Sequence, residues 1–124
     1  MNKKSIRPTL PETLVNKEMS EEEHFQNTII RPIIKMQHDL FIQVFQQYFK
    51  SKKNAFFKLA EEQKEKYIEN IFQKNIGFRG ELKGIVIGQF TVEEYNIYIH
   101  HSSTLNKRMM NMLKERILNS QSDF

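Results

Sequence analysis

Between residues 33 and 49, Ile33, Ile34, Leu40, Phe41, Val44, Phe45, Tyr48 and Phe49 recur at intervals of three and four. That period gathers them on one broad face of an α-helix, whereas a strand would deal them to alternate faces. So wide an apolar face has to be covered by other helices, and the segment is expected at the centre of the core. Pro32 stands at its start. It either opens a new helix or kinks a continuous one, because it lacks an amide and crowds the preceding turn.

Helix signals flank this segment. Ser20 followed by Glu23 has the spacing of a capping box, in which each side chain satisfies a free amide of the first turn. "AEEQKEKYIENIFQKN" reads as a helix with Glu61 and Glu62 at its positive end and Lys74 at its negative end. Its buried stripe is Tyr67, Ile68, Ile71 and Phe72, with Phe56, Phe57 and Leu59 as a short apolar anchor ahead of it. Asn75 or Gly77 is expected to end it in a left-handed conformation. Thr91 and Glu94 form a second capping box, opening a helix that carries Val92, Tyr95 and Ile99. Ser102 or Ser103 then caps a last helix with Leu105, Met109, Met112, Leu113 and Ile117 on its apolar face. Met110 is the methionine expected outside.

All four glycines, Gly77, Gly80, Gly84 and Gly88, fall in "GFRGELKGIVIG". They do not form G-x-G-x-x-G, and no Lys follows the second glycine of "GELKGIVIG", so neither dinucleotide nor P-loop chemistry is indicated. "GIVIG" with "NIYIHH" could pair as a hairpin over 84–101, but an isolated two-stranded hairpin is marginal and Thr91 caps a helix where its turn belongs. On a helix, Gly80, Gly84 and Gly88 stack on one face. The expected use of that face is close helix packing, with a ligand lying on bare backbone as the alternative.

Composition excludes several chemistries. With no cysteine there is no disulfide, thiolate nucleophile or thiolate zinc site. No apolar run approaches a membrane span, and the amino terminus lacks the apolar region of a secretory signal, so no membrane partner and a cytoplasmic location are expected. Glu21 and His24 make a single Glu-x-x-His, where a di-metal bundle needs two. His100 and His101 are adjacent and diverge by about 100° on a helix, so they do not share a metal. A helix carboxyl terminus is their expected place. His38 beside Asp39 on the central helix is expected at the surface or as a satisfied core group rather than as a base. No catalytic residue, metal ligand or cofactor site is therefore assigned. The net charge of +4 points to an anionic partner only if clustered. Arg79, Lys83, Lys107 and Arg108 are the candidate anion face, beside the solvated lysines Lys50, Lys52 and Lys53.

From about His24 to Ile117, and most in "LKGIVIGQFTVEEYNIYI" and "SSTLNKRMMNMLKERI", the chain resembles a group of short uncharacterised bacterial proteins of flavobacterial type, some labelled glyoxalase. That label implies a metal-dependent lyase built from paired βαβββ modules. It brings no site residue to this chain, which lacks the corresponding strands and His/Glu ligand set.

The expected fold is all-α, a compact bundle of four to six helices over residues 20–118, with an extended arm at 1–19 and a frayed tail at 119–124. The expected function is a non-enzymatic protein-interaction or regulatory module, partnered by a second copy or another protein. A nucleic-acid-binding helical protein is the first alternative and a glyoxalase-like lyase the second.

Overall fold

The computed structural model describes residues 20–52 and 55–121. The expected arm at 1–19 and the last residues of the tail lie outside them. The described residues are all-α, with no strand among them, so the paired βαβββ architecture implied by the resemblance is absent there. The α-helices are α1 (Glu21–Phe25), α2 (Arg31–Met36), α3 (His38–Ser51), α4 (Glu61–Lys74), α5 (Ile76–Ile87), α6 (Val92–Tyr98) and α7 (Ser102–Asn119). A π-helical turn at Gln26–Ile30 joins α1 to α2, and a 3₁₀ turn at Ala55–Lys58 precedes α4. The segment 84–101 is thus two helices and a tight connection, not a hairpin.

Pro32 explains the π turn. Its missing amide and bulky ring displace the carbonyl four residues earlier, and the Arg31 amide reaches back five residues to Gln26. The chain therefore bends without breaking from α1 to α2. Gln37 interrupts it before α3, so the long apolar segment is divided between two helices.

Phe45 sits at the centre. It is fully buried, stacked on Phe72 of α4 at 5.8 Å and edge-on to Phe78 of α5 at 5.0 Å. Phe49 stacks on Phe56 at 3.8 Å, tying α3 to the 3₁₀ turn. Such pairs add about 0.5–1.5 kcal/mol each beyond the area they bury. Helix α7 closes the bundle. Leu105, Met109, Leu113 and Ile117, four residues apart, are all fully buried, and the helix packs on α4, α5 and the π turn.

The helix ends show where local signals held. Thr91 and Glu94 complete their capping box, with the Glu94 amide donating to Thr91 Oγ1 at 3.2 Å and the Thr91 amide to Glu94 Oε1 at 2.8 Å. Ser20 accepts from the Glu23 amide at 3.1 Å. Asn75 differs from expectation: it is extended (φ −93°, ψ 90°), not left-handed. Helix α5 begins at the next residue, so Asn75 caps it through Oδ1 to the Phe78 amide at 2.9 Å and donates from Nδ2 to the Tyr48 hydroxyl at 3.1 Å. Gly77 lies within α5. Likewise His101, not a serine, precedes the first turn of α7.

Candidate functional site

Fourteen lysines and five arginines make up the basic residues. Arginine is thus the scarce cation, and its planar fork is the one suited to phosphate or carboxylate. Arg7 lies outside the described residues. The other four, Arg31, Arg79, Arg108 and Arg116, all line two clefts that flank α7.

The first cleft, of about 550 Å³, runs between α7 and the π turn with α2. Arg108 and Arg116 reach it from α7 and Arg31 from the start of α2. Their hydrogen bonds go to neutral groups. Arg108 Nη1 donates to Gln26 Oε1 at 2.8 Å, and Arg31 Nε to Asn27 Oδ1 at 3.4 Å. Arg116 Nη1 lies 3.2 Å from His38 Nδ1. A guanidinium has only donors, so a hydrogen bond between them has the ring nitrogen as acceptor. Among the described residues no carboxylate comes within ion-pair distance of any of the three guanidiniums. Glu115 is in the lining but stays exposed. Burial, and after it the charge of Arg31, hold Arg116 below the usual arginine range. Three positive groups therefore line one cleft with no ion-pair partner among the described residues.

The second cleft, of about 510 Å³, lies on the other flank, between α7 and helices α4 and α5. Arg79, Lys107 and Lys114 line it, with Glu69 as its one acid. Here too no carboxylate pairs with the cations among the described residues. Asn111, exposed on the outer ridge of α7, lines both clefts. Each cleft holds three cations against one acid. Their combined excess equals the formal net charge of the whole chain, +4; all other residues sum to zero.

Of the expected anion face, Arg79 and Lys107 share the second cleft, Arg108 lies in the first, and Lys83 lines neither. Arg31 and Arg116 were missed. Their signal in the sequence was the rarity of arginine in a lysine-rich chain.

The glycine face is open. Gly80 and Gly84 are exposed, and a Cβ on either would meet nothing within 4 Å, so the expected close helix contact is not made among the described residues. Gly88 is tighter, a Cβ there falling 3.1 Å from the Gly84 carbonyl oxygen. The apolar residues expected on α6 also face outward: Val92, Tyr95 and Ile99 are 75 %, 45 % and 46 % exposed. The capping box turns Glu94 inward instead, where it is buried with Tyr98. Of the methionines, Met109 is core, while Met110 and Met112 are half-buried in the walls of the second and first clefts.

The histidine pair follows the carboxyl end of α6, the His100 and His101 amides donating to the Ile97 and Tyr98 carbonyl oxygens at 3.2 and 3.0 Å. His101 faces two carboxylates of α1, with Nδ1 2.8 Å from Glu22 Oε1 and Nε2 3.3 Å from Glu21 Oε2. Hydrogen bonding of its own backbone amide at the helix start lowers the Glu22 carboxyl, and His101 adds to this. Among the described residues no three His, Asp or Glu side chains are grouped to hold a metal ion, and no helix is long and apolar enough to cross a membrane. No family model, curated protein or solved structure matches the chain.

Proposed function

We propose that the protein is a binding module for a phosphate-bearing anion, held in the cleft of Arg31, Arg108 and Arg116. One observation carries this reading: three guanidiniums enter one cleft and none has a carboxylate partner among the described residues. Concentrating like charge in a partly buried cleft costs stability, and an anionic ligand offsets that cost. Asn111, Asn119 and Ser120 in the same lining supply neutral polar contacts. His38 is occupied by Arg116, so the cleft pairs no base with a nucleophile, and binding without chemistry is the role that fits it.

Inorganic tripolyphosphate is a suitable probe, followed by isothermal titration calorimetry. Removing one charge-assisted hydrogen bond costs about 1.5–3 kcal/mol, so Arg116→Gln is expected to weaken binding by about ten- to 150-fold. Tripolyphosphate that fails to bind at millimolar concentration, or binds the Arg116→Gln protein equally well, refutes the proposal.

A further inference from the structure

The second cleft has a feature that the first lacks. Arg79 Nε is buried and has no hydrogen-bond partner among the described residues. A buried donor left without an acceptor costs about 1–3 kcal/mol, and buried polar atoms in folded proteins are otherwise nearly all satisfied. This one belongs to a guanidinium in the wall of a cleft that Lys107 and Lys114 also line. An anion seated in the cleft would offset the charge of that guanidinium.

We infer that the two clefts hold phosphates a few nucleotides apart on one nucleic-acid strand that crosses the outer ridge of α7. The inference rests on the anion reading of the first cleft and extends it to a ligand class. Asn111 belongs to both linings, so only the width of one helix separates the clefts, about 10–12 Å with side chains. A strand carries one phosphate per nucleotide, at a rise of ~3.4 Å when stacked as in B-DNA, so about three stacked nucleotides, or fewer extended ones, span that distance. A compact anion can occupy one cleft but cannot bridge both.

The remaining lining favours a nucleic acid over an acidic peptide. Glu69 and Glu115 repel the charged groups of either ligand, but a nucleic acid also brings base amino groups and ribose hydroxyls from which they can accept. Asn111 on the ridge can donate and accept at once, as base edges require. Both clefts are recessed between helices, and a flexible single strand enters such grooves where a stiff duplex does not. DNA and RNA share the phosphodiester chemistry invoked.

The test is fluorescence anisotropy with labelled 12-mer single strands of mixed sequence, one RNA and one DNA, using the full chain and its Arg79→Gln, Lys114→Gln and Arg116→Gln variants. Neutralising about four phosphates at ~0.7 per phosphate gives a salt slope near −3, hence about 60-fold weaker binding at 200 mM than at 50 mM salt. Each variant is expected to weaken binding of at least one 12-mer about tenfold or more. Tripolyphosphate binding should respond to Arg116→Gln alone. Arg79→Gln should melt no lower than the parent, since a purely structural arginine would show as lost stability. If it does unfold, Lys114→Gln on the same cleft decides. A 12-mer that ignores Arg79→Gln and Lys114→Gln while Arg116→Gln weakens it overturns the two-cleft track and leaves the first cleft standing. A duplex bound more tightly than either single strand overturns the single-strand assignment. If neither the 12-mers nor tripolyphosphate bind, both readings fall.

Discussion

Replacing Gly80 and Gly84 together by alanine should make the protein more stable. Both are interior residues of α5 and both are exposed. An added Cβ meets nothing within 4 Å among the described residues, so neither clash nor cavity enters the estimate. What remains is helix propensity, in which glycine is about 0.8–1.0 kcal/mol worse than alanine, chiefly through the freedom of the unfolded chain. Gly84 lies in the last turn, where fraying reduces the gain, so about 1.5 kcal/mol is expected for the pair. In a domain of this size that raises the melting temperature by about 6–12 °C. Gly88→Ala is the contrast, because a Cβ there presses on the Gly84 carbonyl at 3.1 Å, and it should gain less. Urea melts followed by helical circular dichroism give the free energies, repeated at several protein concentrations. A double variant no more stable than the parent, with an unchanged urea slope, would refute the reasoning. The glycine face would then be covered in solution, and a concentration-dependent loss would identify a second copy as the cover.

Two further outcomes follow from the same geometry. Phe45→Ala removes the ring that meets both Phe72 and Phe78 and should cost about 3–5 kcal/mol, read as a large fall in the urea midpoint; a loss below ~1 kcal/mol would mean that the site collapses around the gap. The Glu22 carboxyl, titrating below its ordinary value of 4.5 in the folded chain, contributes stability that is present above that value. The contribution is lost as the pH falls through the lowered one. Glu22→Gln should therefore be less stable than the parent at pH 6 and converge with it toward pH 3, and parallel stability curves over that range would dismiss the contact with His101.

The sequence by itself determined the helical class, the core and most helix starts. Those are local or periodic properties: Phe41, Phe45 and Phe49 share a face because a helix repeats every 3.6 residues, and Thr91 caps because Glu94 is three residues on. Local rules misjudged residues that answer to something distant. Asn75 gave up a left-handed stop because α5 begins beside it and Tyr48, 27 residues away, takes its amide. Val92, Tyr95 and Ile99 have a helical period, but the period does not say which face turns inward, and it is Glu94 and Tyr98 that are buried. The glycines fixed a bare face without fixing what lies upon it. Only the tertiary structure brought Arg31 to Arg108 and Arg116, and Arg79 to Lys107 and Lys114. Each set joins residues from different elements, gathered where α7 packs on the π turn on one flank and on α4 and α5 on the other, with no carboxylate partner among the described residues.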